Sequence, residues 1–273
     1  MSEAHEIKRV AIIGLGLLGG SIGLAVAKHA PDIVTTGYDA DPDVRAKARK
    51  RGLAGTICDS ASEAVRDADL VVLCVPVGAM AAAARDMAEA LPEHAIVSDV
   101  GSSKASVLSD LTAVLPNHTV IPAHPVAGTE QSGPEAGFAS LFGNRWCIIT
   151  PPADADEAAV EALSQFWRQL GSRIEIMDPE HHDLVLAVTS HIPHLIAYTI
   201  VGTASDLEDV TRGEVIKYSA GGFRDFTRIA ASDPTMWRDV FLHNKTAVLE
   251  VLGRFTEDLT ALQRAIRSGD GDT

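Results

Sequence analysis

The feature that most constrains this chain is a strand, a glycine-rich turn, a helix and a second strand in immediate succession. Arg9-Val-Ala-Ile-Ile reads as a short strand buried on both faces, Gly14-Leu-Gly16-Leu17-Leu18-Gly19-Gly20 opens an alanine-rich helix ending near His29, and Ile33 to Tyr38 reads as the next strand. Asp39 then stands 20 positions after Gly19. Glycines in this spacing alone say little, but with a strand before, a helix after and an acid at that distance they predict a βαβ dinucleotide-binding unit. The glycines let backbone approach a pyrophosphate at a helix N-terminus, and the Asp39 carboxylate can accept hydrogen bonds from both ribose hydroxyls. A 2′-phosphate would be repelled there, which favours NAD over NADP.

The alternation continues along the chain. Asp69 to Val75, Ala95 to Ser98, Val120-Ile121, Trp146 to Ile149 and Ser172 to Ile176 read as further strands, with helices over Met80 to Leu91 and Glu157 to Leu170. Strands alternating with helices imply an α/β fold of Rossmann type, a doubly wound parallel sheet. At Asp178-Pro179, an N-cap followed by a proline suited to the first helical position, the pattern changes and no strand follows. The expected division is a dinucleotide-binding domain over 1–177 and an all-helical domain over 178–273. Asp233-Pro234 repeats the start signal and opens one long expected helix, in which Val248, Leu252, Phe255, Leu259, Leu262 and Ile266 recur at spacings of 4, 3, 4, 3 and 4. Such a stripe packs against another helix, in this chain or in a partner subunit.

Composition narrows the classes of partner. Of 273 residues 46% are hydrophobic, enough for a sizeable core, and the formal net charge is −14. That charge repels phosphate backbones and anionic lipid, so neither nucleic acid nor membrane is an expected partner. Leu70 to Ala84 is uncharged but too short to span a bilayer, and Leu184 to Ser205 carries His191, Pro193 and His194 in its middle; both are expected to be buried core. Three widely spaced cysteines, Cys58, Cys74 and Cys147, form no CxxC pair. Together with an N-terminus lacking an apolar leader, they indicate a cytoplasmic protein.

In a doubly wound sheet ligands bind beyond the carboxyl ends of the strands. Four segments qualify: Gly14 to Gly19, the turn at Pro76 just after Val75, Asp99-Val-Gly-Ser102-Ser-Lys104, and Ala123-His124-Pro-Val-Ala-Gly-Thr129-Glu130. Ser102 reads equally well as a helix cap or a functional hydroxyl. His124, in a loop after a strand, is a candidate acid or base. In the helical half, Pro193 should kink Ser190-His191-Ile-Pro-His194 and leave polar groups in an apolar stretch. A metal site from His191 and His194, with His181 or His182, competes with this reading but lacks an evident third ligand. From Arg212 to Lys245 six cations outnumber four acids, which suggests an anionic ligand.

These residues resemble the prephenate/arogenate dehydrogenase family of tyrosine biosynthesis. GLGLLGGS at 14–21, DVGSSK at 99–104, HPVAGTEQSG at 124–133, SHIPH at 190–194 and GGFRDFTRIAASDPTMWRD at 221–239 carry the resemblance over nearly the whole chain. It implies NAD-linked oxidative decarboxylation of a small dianionic substrate, prephenate to 4-hydroxyphenylpyruvate or arogenate to tyrosine. Carried over by motif, His124 would accept the hydroxyl proton, and Ser102 would orient that His or the same hydroxyl. Arg228 would hold the ring carboxylate and Asp225 would position Arg228. His191 would lie over the substrate side chain, with Thr129, Glu130 and Trp237 shaping the site. The helical domain would form a homodimer. With no room for a regulatory or mutase domain after the long helix, tyrosine inhibition would act at the active site.

Two rival readings share the Rossmann half. One is another two-domain hydroxyacid dehydrogenase, which leaves the His124 and Arg228 motifs unexplained. The other is a silent NAD-sensing module, which would bind cofactor without turnover.

Overall fold

The computed structural model describes residues 6–129, 131–207 and 214–273. Two compact units divide the chain, one extending to His182 and the other from Asp183 onward.

The first unit is built on six parallel strands: β1 (Arg9–Ile13), β2 (Val34–Tyr38), β3 (Thr56–Ile57), β4 (Leu70–Leu73), β5 (Ile96–Asp99) and β6 (Thr119–Val120). Their order is β3-β2-β1-β4-β5-β6, the order of a Rossmann fold. Helices α1 (Leu17–His29), α2 (Pro42–Arg51), α3 (Ala61–Val65), α4 (Met80–Met87) and α5 (Ala105–Val114) make the crossovers. Strand β1 explains why the sheet is covered on both faces. Val10 and Ile12 join one buried cluster and Ala11 and Ile13 the other, so alternate side chains serve opposite cores. Burying each large aliphatic side chain contributes about 1.5–3 kcal/mol.

The parallel sheet stops at β6. Strands β7 (Ala123–Pro125), β8 (Trp146–Ile149) and β9 (Arg173–Ile176) form a separate three-stranded sheet, with β7 antiparallel to β8 and α6 (Glu157–Gln169) preceding β9. His124 therefore belongs to a strand, not to a loop as the sequence suggested. It pairs in register with Ile148.

The second unit is helical. A continuous helical run, α7 (Pro179–Leu186), a π turn (Ala187–His191) and α8 (Ile192–Asp206), crosses from one unit into the other. The expected disturbance at Pro193 is this π turn, where the Ile192 N–H reaches back to the carbonyl of Ala187. The run is long and apolar enough to cross a membrane by length and composition. Only 28% of its apolar window is buried within this chain, so the expectation that it is simply core holds for part of it. Short helices α9 (Glu214–Lys217) and α10 (Gly221–Thr227) precede a 3-10 turn at Arg228–Ala231.

The long helix expected from Asp233 onward is two helices, α11 (Pro234–His243) and α12 (Lys245–Ser268), broken at Asn244. Asn244 leaves helical backbone geometry at φ −111° and ψ 30°. Ala187, Ile192 and Val248 centre a small core, with Phe241, Val251 and Leu252 packed on it. Farther along α12, Leu259, Leu262 and Ile266 are exposed.

Candidate active site

The glycine-rich turn occupies the switch point of the sheet, where the chain order reverses between β1 and β4. Gly14 adopts φ +98°, and a Cβ there would stand 2.7 Å from the Cys74 carbonyl and 3.0 Å from Val75. A Cβ on Gly19 would stand 1.9 Å from the Gly14 carbonyl, so only glycine lets α1 close onto the turn. A Cβ on Gly16 meets nothing within 4 Å. Open space therefore faces the amino end of α1, whose N-cap Gly16 offers no side-chain acceptor to the first N–H groups, those of Leu17 and Leu18 among them. This is a cradle for an anion such as a pyrophosphate. Val75 and the exposed Pro76 follow β4 beside it.

Asp39 directly follows β2 and is tied to the same turn. Its Oδ2 accepts from the Leu15 N–H at 2.8 Å, and its Oδ1 accepts from the Asp41 N–H at 3.0 Å. Arg45 of α2 donates to the Asp39 carbonyl at 2.8 Å and lies over the Tyr38 ring. The carboxylate is thus fixed in place with lone pairs left for a ribose.

His124 is buried, and its Nδ1 lies 2.9 Å from Nε2 of His182 in the first turn of α7. Sequence reasoning named His182 only as a metal alternative; its pairing across 58 residues has no local signal. The residue before His124 is also anchored, because Nζ of Lys104 donates to the Ala123 carbonyl at 2.8 Å. Lys104 pairs with Asp99, and both side chains are inaccessible to solvent. Burial pushes the Asp99 carboxyl up, opposed by the Lys104 ammonium and by the Gly101 N–H that it accepts. The DVGSSK motif therefore acts through Asp99 and Lys104 as a brace behind β7, a role its sequence did not reveal. Ser102 is partly exposed and makes no side-chain hydrogen bond among the described residues. Thr129 is exposed and accepts from the Gln131 N–H; Glu130 lies outside the described residues, as does Arg212.

The second unit holds its own buried polar group. His191, within the π turn, places Nδ1 3.0 Å from the side-chain nitrogen of Asn244, which also donates to the Asp183 carbonyl at 2.8 Å. The amide nitrogen faces Nδ1, so Nδ1 of His191 is the acceptor in this contact. Trp237 stacks on His194 with centroids 3.6 Å apart. Its indole N–H is buried without a partner among the described residues, and an acceptor on a bound ligand would satisfy it. Burial holds the His194 imidazole below its ordinary value, against the Ser190 carbonyl that its Nδ1 contacts. Asp225 and Arg228 are both exposed, and no hydrogen bond or ion pair joins them among the described residues, so the orienting contact expected of Asp225 is not formed.

A cavity of 640 Å³ opens instead at the opposite, amino ends of β1 and β2, between Arg9, His29, Asp32 and Gln165. It holds none of these residues, and parallel sheets bind ligands at the other edge.

Comparison with known proteins places this geometry. Residues 22–176 match the family model of the prephenate dehydrogenase nucleotide-binding domain, and residues 178–273 match that of the prephenate dehydrogenase dimerization domain. Cyclohexadienyl dehydrogenase of Zymomonas mobilis is 48% identical over 97% of this chain and 90% of its own length. Prephenate dehydrogenase of Bacillus subtilis is 34% identical over 96% of this chain and 71% of its own. The crystal structure of prephenate dehydrogenase from A. aeolicus with hydroxyphenyl propionate and NAD+ superposes with a TM-score of 0.91 at 33% identity, covering 100% of this chain and 94% of that one. A Rossmann half with its glycine cradle intact and a helical half of the dimerisation type, matched in that order along the chain, make this protein a member of the prephenate dehydrogenase family.

Proposed function

We propose that the chain catalyses NAD-dependent oxidative decarboxylation of a cyclohexadienyl acid, prephenate to 4-hydroxyphenylpyruvate or arogenate to tyrosine. The observation that carries this reading is His124, a buried imidazole whose Nδ1 lies against His182 and whose strand is braced from behind. A base must be held in place and in one tautomer to act on a single proton.

The open face of the cradle fits a dinucleotide. Gly14, Gly16, Leu17, Leu18 and Gly19 would hold its pyrophosphate, Asp39 the adenine ribose, and Val75 and Pro76 would line the path beyond β4. When bound, NAD supplies the acceptor for the hydride leaving the ring carbon that bears the hydroxyl. His124 takes the hydroxyl proton and Ser102, with its hydroxyl uncommitted, orients that group. The ring carboxylate departs as carbon dioxide, its bonding electron pair entering the ring, and aromatisation drives the step.

Arg228 binds the ring carboxylate through an exposed guanidinium that has no ion pair among the described residues. Asp225 belongs to the same segment. His191 lies over the substrate side chain, the Trp237 N–H is a donor suited to it, and Thr129 and Glu130 shape the site. A homodimer through the helical unit accounts for the exposed Leu259, Leu262 and Ile266. The three free cysteines accord with a cytoplasmic location, and the −14 charge weighs against nucleic acid or anionic membrane as a partner.

Steady-state assays with prephenate and arogenate, each with NAD and NADP, test the proposal. NADH should form with at least one of the two acids, accompanied by the matching aromatic product. Binding of NAD without turnover of either acid would overturn the proposal and leave the two rivals, another hydroxyacid dehydrogenase and the silent sensor.

A further inference from the structure

We propose that Arg51 is a positioning residue of the substrate site: from the last turn of α2 its guanidinium grips two backbone carbonyls of the chain that leaves His124, and so fixes where Thr129 stands. The inference rests on Thr129 shaping the site for the acid. It follows from two contacts that no local spacing announces, with Pro134 and Gly137, 83 and 86 residues away.

The near end of this chain is held by the second sheet, where β7 pairs with β8 and the Val126 N–H donates to the Trp146 carbonyl at 2.8 Å. The far end is held by the first. Gly133, at φ +86°, turns the backbone into a 3-10 turn over Pro134–Ala136, and Pro134 and Gly137 are both buried. There Nη1 of Arg51 donates to the Pro134 carbonyl and Nη2 to the Gly137 carbonyl, the latter at 3.0 Å. The Phe138 N–H donates at 3.0 Å to Oγ of Ser21, a fully buried residue of α1. A Cβ on Gly137 would stand 3.2 Å from the backbone of Gly20 and of Ser21, so the chain lies directly on that helix. Lys47 and Glu135 add an exposed ion pair at 3.2 Å, which contributes little. Thr129 lies between the two fixed ends, three residues after Val126 and five before Pro134.

Arg51 is suited to the task by its place and its shape. Helix α2 is capped by Asp41, which accepts the Asp43 N–H at 2.8 Å, and stopped by Gly52 at φ 63°, so a cation in its last turn meets the negative end of the dipole. The fork of N–H donors reaches two carbonyls at once, which a lysine ammonium on a flexible stem does less well. Helix α1 opens at the glycine cradle and α2 follows Asp39, so the far end is fastened to the two helices beside the cofactor residues. With both fastenings removed, the unanchored chain would run from Ala127 to Ser140, before the buried Leu141, instead of to Gly133. That doubles its length, and since closure scales with the 3/2 power of length, ordering it becomes about threefold less favourable. His124 precedes the released stretch and keeps its sheet pairing, so the loss falls on substrate binding and not on proton transfer.

The test is steady-state kinetics of the intact enzyme with NAD and whichever of prephenate and arogenate it turns over, beside the NAD dissociation constant from titration calorimetry. Arg51→Met combined with Ser21→Ala frees the far end and should raise KM for the acid about three- to tenfold, the closure penalty alone at the lower limit and a weakened hydrogen bond from Thr129 added at the upper. Both kcat and the NAD dissociation constant should stay within about twofold, because His124 and the glycine cradle keep their own supports. Arg51→Lys still reaches one of the two carbonyls and should recover part of the loss seen in Arg51→Met alone. A merely structural Arg51 would lower the melting temperature and leave KM at the parental value. That result, or a KM that rises only in step with the NAD dissociation constant, overturns the proposal and leaves the reaction standing. A parent that turns over neither acid overturns the reading of the reaction, and the proposal with it. If the double variant does not fold, Arg51→Met and Ser21→Ala decide singly, and a parental KM in both contradicts the role of Arg51.

Discussion

The side-chain nitrogen of Asn244 stands 3.0 Å from Nδ1 of His191 and 2.8 Å from the carbonyl of Asp183, so one amide joins the break between α11 and α12 to the π turn. Asn244→Leu removes the donor that both acceptors share. The expected cost is about 1–3 kcal/mol, the penalty for burying polar groups after a partner is deleted. Urea denaturation measures it, and a change below about 0.5 kcal/mol would show that the amide is dispensable.

The Asp99–Lys104 pair gives a larger effect. Lys104→Met leaves a buried carboxyl without its cation, which should cost about 3–5 kcal/mol. Asp99→Asn combined with Lys104→Met should be milder than Lys104→Met alone. A single variant as stable as the parent would mean the pair does not brace β7.

Much of the Rossmann half was legible because its signals are local. Gly14 must adopt positive φ, Gly19 must let backbone touch backbone, and β1 must be apolar on both faces; each requirement falls on one residue or a short run. The second sheet was not legible, since β7 has three residues, one of them proline, and its antiparallel partner lies beyond a long loop. Nor was the break at Asn244, because the apolar stripe of α12 says nothing of where its helix begins. Within the site, residues after strands were found and their buried supports were missed. His182, Asn244 and Lys104 make their contacts across 58, 53 and 19 residues, and no spacing rule connects such positions.

Cofactor choice should follow Asp39. Asp39→Asn retains an acceptor for the Leu15 N–H but removes the charge that repels a 2′-phosphate, and Arg45 is already at hand to receive one. The ratio of kcat/KM for NAD over NADP should fall at least about tenfold, one charge interaction of roughly 1.4 kcal/mol. An unchanged ratio would place discrimination elsewhere.

Burial depresses the His194 imidazole below its ordinary 6.5, so the unfolded chain takes up this proton at higher pH than the folded chain. The associated stability is present above that value and lost as pH falls through the lower folded value. Urea midpoints measured on both sides of this window should fall toward acid, and His194→Gln should flatten the slope. Equal slopes in parent and variant would count against the assignment.

Arg228 is expected to govern binding more than chemistry, because the carboxylate it grips loses its charge as carbon dioxide forms. Arg228→Ala should raise KM for prephenate by about ten- to a hundred-fold, one charge-assisted contact of about 1.5–3 kcal/mol, with a smaller loss in kcat. A KM within about twofold of the parent would pass the role to another cation, with Arg224 the nearest in sequence.

The central claim is that His124 removes the hydroxyl proton while the rest of the site binds. Turnover of prephenate by His124→Asn at saturating NAD measures this directly. The account predicts kcat lower by about 10²–10⁴, the usual contribution of a positioned base, with NAD affinity close to that of the parent. A variant that turns over prephenate at nearly the parental kcat would contradict it.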